Sequence, residues 1–334
     1  MVRWAQDPRD APLGGHPRPP NGQTKEQIMK TFRKLGALAL LAPALFMVGC
    51  GTLLSEKIDS RSHGVDVSSE EKLVYRVYLP PGYGSEPSRT YPVLVWFHGG
   101  GGNEKTWGRV GGIGEQLVEP MKTGEMDPFI VVSPTPGEFE VYRDGMERAL
   151  FEKVLPRVNR EYRTNGVTVA FGHSMGGLNA LIVSLRNPQY FNAVAVASPF
   201  TFDTSPYDCE MAIAAFEKQF GGGWASVYRR AIKGKFPDRE KFEAVDPFTQ
   251  IRRSEAQPFP ILLTSGTRDS FGLFPHNQRL HETMANAGIE HEWIVQENVG
   301  HGTVQRPEIY LWMSQQAREA RERLAATSAG GGGR

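Results

Sequence analysis

Short apolar runs of strand length recur along this chain, with stretches of helical period between them, and that rhythm restricts the fold more than any other feature. YPVLVWF (91–97), FIVVS (129–133), VTVAF (167–171), AVAVA (193–197) and ILLT (261–264) are unbroken by polar alternation, and EWIV (292–295) supplies one more. A strand covered on both faces reads this way, because neither set of its alternating side chains meets water. Leu73, Tyr75, Val77 and Leu79 instead alternate with other residues, as in a half-buried strand, and Pro80-Pro81-Gly82 stops it.

Between the runs, Leu150, Phe151, Val154, Leu155, Val158 and Tyr162 mark one face of a helix, which Pro156 is expected to kink. Residues 177–185, 277–287 and 308–324 carry the same period. Alternation of buried strands with helices predicts a mostly parallel central sheet wrapped on both faces, in one domain spanning 72–324. Residues 201–257 interrupt the rhythm with their own helical pieces, such as 209–220, and a Gly221-Gly222-Gly223 break. They read as a cap-like insertion over the sheet's edge. Residues 325–334 hold four consecutive glycines and read as a disordered tail.

Upstream lies a different kind of segment. Lys30, Arg33 and Lys34 precede 14 apolar residues (35–48), too few to span a bilayer comfortably and the right number for a signal sequence. The run ends in Met47-Val48-Gly49-Cys50, which resembles a bacterial lipobox. The resemblance implies removal of residues 29–49, lipid on Cys50 and anchoring to the cell envelope. With Gly51 rather than an acidic residue next, an outer membrane is favoured where two membranes exist. Residues 1–28 have no apolar period and read as an extension upstream of a start at Met29. Residues 50–71 read as a tether. The only other cysteine is Cys209, which argues against a disulfide framework. With 38 basic against 37 acidic residues, the charge gives no reason to expect nucleic acid as a partner.

Chemistry concentrates in three places. Gly172-His173-Ser174-Met175-Gly176 fits G-x-S-x-G, a weak pattern alone, but here a strand runs into it and a helix leaves it. Such a turn lifts Ser174 Oγ above the sheet as a nucleophile, and glycines two residues to either side remove Cβ atoms that would collide. The strand 91–97 leads into His98-Gly99-Gly100-Gly101-Gly102, where side-chain-free backbone can approach a developing oxyanion. The expected donors are N–H groups in the Gly99–Gly100 region and that of Met175. A phosphate loop would end in Lys and Ser/Thr, which Asn103-Glu104-Lys105 does not supply.

The base and its acid should follow the nucleophile in the order acid, histidine. His301 lies in a loop after the strand 292–295, flanked by Gly300 and Gly302. Asp269 holds the matching place after the strand 261–264. His276, His281 and His291 read as packing or surface residues, and Asp203, Asp208 and Asp246 as capping or solvated ones.

Taken in chain order, YRVYLPPGY (75–83), YPVLVWFHGGGG (91–102), GHSMGG (172–177), SGTRD (265–269) and Gly300-His301 resemble the esterase D, or "Putative esterase", family. That family includes S-formylglutathione hydrolases, feruloyl and acetyl-xylan esterases and enterochelin-esterase-like enzymes. The resemblance covers roughly residues 72–315 and implies an α/β-hydrolase with Ser174, Asp269 and His301 as triad, using acyl-enzyme chemistry with no cofactor and no metal. The expected substrate is a small or carbohydrate-linked ester outside the cytoplasm, since an exported lipoprotein would not meet cytosolic glutathione thioesters. Two other readings of the same residues are an acyltransferase with the same triad and a non-catalytic envelope lipoprotein on a hydrolase scaffold. The residues do not indicate an oligomeric state.

Overall fold

The computed structural model describes residues 62–301, except 70, 110–111, 138–139, most of 209–235 and 254–257, together with residues 307–330. The leader at 29–49, Cys50 and the extension at 1–28 lie outside the described residues, as do nearly all of 209–220 and the final residues 331–334.

Every predicted apolar run forms a strand. The strands are β1 (His63–Asp66), β2 (Lys72–Tyr78), β3 (Tyr91–Phe97), β4 (Ile130–Thr135), β5 (Thr164–His173), β6 (Ala193–Ala197), β7 (Ile261–Gly266) and β8 (His291–Gln296). They make one sheet in the order β1-β2-β4-β3-β5-β6-β7-β8. β3 to β8 run parallel, whereas β2 is antiparallel to β4 and β1 to β2. β3 shows why its sequence cannot alternate. Val93, Val95 and Phe97 enter the core on one face while Leu94 and Trp96 enter the core on the other, the two-residue period of a pleated strand.

The helices are α1 (Ile113–Thr123), α2 (Asp144–Arg148), α3 (Leu155–Glu161), α4 (Met175–Arg186), α5 (Arg239–Glu243), α6 (Pro247–Arg253), α7 (Phe274–Asn286) and α8 (Pro307–Gly330). α1 and α8 cover one face, through Leu117, Met121, Ile309, Trp312 and Met313. The rest pack on the other, through residues such as Met146, Val158, Ile182, Phe242, Ile251 and Leu280. At roughly 1.5–3 kcal/mol for each fully buried large apolar side chain, these two layers are the main force holding the helices to the sheet.

Three expectations are corrected, one is given its form, and one helix is new. The stretch 50–71 is not all tether, because His63–Asp66 pairs with β2 from His63↔Tyr75 to Asp66↔Lys72. It is a short edge strand with exposed and half-buried residues in alternation, so it carries little apolar signal. The irregularity expected at Pro156 takes a definite form. A π-helical segment, Ala149–Val154, sits between α2 and α3, with Leu155 N–H donating to Leu150 O. That wider turn places the N–H-less proline in the first turn of α3, where no intrahelical donor is needed. α1 was not anticipated, since Gly114 and Pro120 break its helical character. Gly114 is there for space, because a Cβ would lie 2.2 Å from Trp107 O.

The stretch 201–257 is not simply an insertion over the sheet's edge. β6 and β7 are parallel neighbours, so a crossover must join them, and α6 serves as that crossover on the sheet's face. Finally, α8 runs to Gly330, so 325–330 continues a helix rather than forming a disordered tail. Ala325 and Ala326 are strong helix formers and extend it beyond the last packed turn.

The strand order reverses beside β3: the chain passes from β3 to β4 on one side and returns to lay β5 on the other. A crevice forms at such a switch point, above the carboxyl ends of the strands. The loops after β3, β5, β7 and β8 all open there.

Candidate active site

The site is built first by the turn from β5 into α4. Ser174 stands there with φ 58° and ψ −124°, a conformation that L-residues rarely adopt. Two glycines make it attainable. A Cβ on Gly172 would lie 2.0 Å from Gly176 O, and one on Gly176 would lie 1.9 Å from Phe97 O. Ser174 N–H donates to Ala197 O at 3.0 Å, and Ser174 O accepts from Phe200 N at 2.9 Å and Leu178 N at 3.1 Å. The backbone is therefore held from β6 and from α4, and the side chain is left to project into the crevice. Met175 opens α4, so its N–H has no carbonyl within the helix to donate to and lies beside the serine.

The glycine-rich loop after β3 flanks this turn. An added Cβ at Gly99 would come within 3.9 Å of Ser174 Cβ and 3.6 Å of His173 O. The loop closes on itself through Gly102 N–H to Gly99 O at 3.0 Å, with Gly101 at φ 76°. His98 locks it from below: Nδ1 lies 2.9 Å from Gly99 O and Nε2 2.8 Å from Thr135 Oγ1. A carbonyl only accepts, so Nδ1 carries the proton and Nε2 accepts from the threonine hydroxyl. With Gly99 O turned to His98, the planar trans peptide points the Gly100 N–H the opposite way. His98 was read only as the start of the glycine run.

The loops after β7 and β8 bring in the other two side chains. His301 Nδ1 lies 2.7 Å from Asp269 Oδ2, and His301 Nε2 lies 2.8 Å from Ser174 Oγ. The Asp269 carboxylate is wholly buried and its second oxygen accepts from Phe271 N–H at 2.8 Å. Gly266 permits the two loops to touch, since a Cβ there would lie 2.3 Å from Val299 O. Ser174, Asp269 and His301, far apart in the chain, thus form one continuous hydrogen-bonded line.

Two further rings border His301. His173, the variable residue inside G-x-S-x-G, places Nε2 2.9 Å from His301 O, with the ring centroids 4.7 Å apart. Burial, helped by the nearby His301, pulls the His173 pKa down to about 4, so it is a neutral donor at ordinary pH. Phe271 meets the His301 ring edge to face at 4.5 Å. Neither contact has a signature in sequence spacing.

His276, His281 and His291, which also follow Ser174, are engaged elsewhere. His276 is buried and pairs with Asp203 at 2.9 Å, while Arg279 Nε holds the other oxygen of that carboxylate at 2.7 Å. His281 and His291 share a hydrogen bond of 2.7 Å. Asp246 caps α6 through Thr249 N–H at 2.8 Å, and Asp208 accepts from Ser205 N–H at 2.9 Å.

A mostly parallel eight-stranded sheet of this order, with a strained serine between its fifth strand and the following helix, is the α/β-hydrolase fold. Within it, the chain belongs to the family described as "Putative esterase", whose model matches residues 67–308.

Among curated relatives, the chain is 30% identical over 142 residues to an endo-1,4-beta-xylanase/feruloyl esterase of Xylanibacter ruminicola, covering 38% of this chain and 19% of that protein. It is 30% identical over 101 residues to the S-formylglutathione hydrolase of Mus musculus, covering 30% of this chain and 29% of the relative. The matches therefore span less than a third of those relatives' own lengths. Among solved structures, a ferulic acid esterase superposes with a TM-score of 0.53 at 22% identity, covering 77% of this chain and 97% of that one. The S-formylglutathione hydrolase of Agrobacterium tumefaciens gives 0.51 at 20% identity, over 79% and 94%. At those identities the structural likeness concerns the fold.

Proposed function

We propose that this protein is a serine carboxylic-ester hydrolase that works through an acyl-enzyme, on small or carbohydrate-linked esters outside the cytoplasm. The observation that carries the reading is the unbroken line Asp269–His301–Ser174, with contacts of 2.7 and 2.8 Å. Ser174 Oγ attacks the ester carbonyl as His301 Nε2 takes its proton. Asp269 fixes the imidazole tautomer and stabilises the imidazolium. The new oxyanion is met by N–H groups of the Gly99–Gly100 loop and of Met175, each donor of this kind being worth roughly 3–4 kcal/mol. His301 then passes the proton to the departing alcohol, and water activated by the same nitrogen releases the acid.

Support for the substrate class comes from the relatives named above, which include feruloyl and ferulic acid esterases. Export with lipid on Cys50 is part of the same proposal and rests on the leader sequence alone. Mass spectrometry of the membrane-extracted protein tests that part, and a mature chain retaining peptides from residues 1–28 would refute it. The catalytic part is tested by fluorophosphonate labelling with a panel of short esters on the wild type and Ser174→Ala. Labelling at Ser174 and loss of turnover in the variant are expected; labelling elsewhere, or undiminished turnover, rejects the assignment.

A further inference from the structure

A hydrolase of this kind handles its substrate in two halves, and the proton transfer fixes where the alcohol half begins. Ester cleavage joins Ser174 Oγ to the acyl carbon and breaks the bond from that carbon to the alcohol oxygen. The proton first taken from Ser174 returns to that oxygen from His301 Nε2. The alcohol oxygen must therefore come within roughly 2.6–3.2 Å of Nε2, the reach of a hydrogen bond. Whatever the oxygen carries begins beside the imidazole of His301.

Phe271 borders that imidazole. Its ring centroid is 4.5 Å from that of His301 at 63°, and the side chain remains 38% exposed, one of few large apolar residues left so open among the described residues. Its backbone is also fixed, because its N–H donates to the free oxygen of Asp269 at 2.8 Å. The ring is thus tied to the same carboxylate that orients the base, and its place relative to the proton donor is set.

We propose that Phe271 is the alcohol-side platform of the site, on which the C–H face of a sugar ring rests while its ester oxygen is protonated by His301. This assignment builds on the esterase reading and specifies one residue that selects the alcohol. A flat aromatic ring offers an apolar face to the axial C–H groups of a pyranose and leaves its hydroxyls to water. A methyl ester is too small to use the platform. Phe271 therefore distinguishes substrates by their alcohol.

The test uses acetyl and cinnamoyl groups, each presented as a methyl ester and as a 6-O-glucose ester, to the full-length wild type, Phe271→Ala and Phe271→Trp. For Phe271→Ala, kcat/KM on the glucose esters is expected to fall about 5- to 10-fold, the size of one lost ring contact, mainly through KM. The methyl esters and the rate of fluorophosphonate labelling should change less than about 2-fold, and Phe271→Trp should keep the glucose-ester rate. Equal losses on both alcohols would mean that the ring only shields His301, and would overturn the proposal. So would an unchanged Phe271→Ala, or a wild type that hydrolyses methyl but not glucose esters. A wild type that neither labels nor turns over any ester would reject the esterase reading itself, and this one with it.

Discussion

His173 Nε2 lies 2.9 Å from the main-chain oxygen of His301, so the residue preceding the serine holds the loop that carries the base. The bond joins the end of β5 to the loop after β8, across two intervening strands. Because His173 stays neutral, with its pKa drawn down to about 4, Nε2 keeps its proton and donates without adding charge beside the imidazole.

Replacing His173 with Phe keeps the ring and removes the donor. A lost buried hydrogen bond of this kind costs roughly 1–3 kcal/mol, so kcat should fall about 10- to 100-fold with KM within about 2-fold. His173→Gln, which retains an N–H at similar reach, should recover part of the loss. Steady-state kinetics on one ester decides the matter, and a change confined to KM would count against a positioning role.

Asp269→Asn should leave the fold intact and lower kcat by about 10³–10⁴-fold. An asparagine can still accept from Phe271 N–H, but its amide would face His301 Nδ1 and force that nitrogen to accept. The proton then moves to Nε2, which can no longer take one from Ser174. Retained melting temperature with near-normal activity would show that the carboxylate is dispensable.

Strain at Ser174 should be measurable apart from catalysis. At φ 58° and ψ −124° an alanine is as strained as the serine, whereas glycine treats this as the mirror image of an extended conformation. The strain is worth roughly 1–3 kcal/mol, and glycine's extra unfolded-state entropy offsets about 0.5–1 kcal/mol of the relief. Ser174→Gly should therefore be about 1 kcal/mol more stable than Ser174→Ala in denaturant unfolding, with both inactive. Equal midpoints would argue that the turn is unstrained.

A third carboxylate sets a pH dependence unrelated to catalysis. Glu147 is buried, and burial pushes its pKa up to about 7 despite a hydrogen bond from Asn187 Nδ2 that works the other way. Arg186 Nη1 lies 3.4 Å from Oε1, but its guanidinium is shared with Asp144. The unfolded chain releases this proton near pH 4.3, roughly, while the folded chain keeps it. The group's contribution to stability is thus complete below that value and disappears as pH rises through about 7. Glu147→Gln should gain on the wild type by about 2 kcal/mol between pH 5 and pH 8 and then level off. Thermal unfolding across that range would show it, and a difference independent of pH would contradict it.

The parts of the site that the sequence revealed are those fixed by chain order and local turn chemistry. Gly172 and Gly176 mark the turn at Ser174, and Asp269 and His301 each follow a buried strand. What it did not reveal depends on contacts made only by folding. His98 and His173 act on carbonyl oxygens, and nothing in their flanking residues announces an acceptor 128 positions away, as His301 is from His173. α1 was hidden by Gly114, which is required by the approach to Trp107 rather than by helix chemistry. β1 was hidden because an edge strand need not be apolar, and α6 because its seven residues are too few to show a helical period.

The placement of α8 bears on how the molecule is made. Ile309, Trp312, Met313, Ala317 and Ala320 cover the face of β5 and β6, the strands nearest the serine. Yet this helix is translated after every strand it covers, so throughout synthesis the middle of the sheet has one bare apolar face. A nascent chain in that state exposes what chaperones hold and what aggregation consumes. Removing Trp312 and Met313 by early termination should leave a polypeptide that cannot complete its interior, even with Ser174, Asp269 and His301 all present.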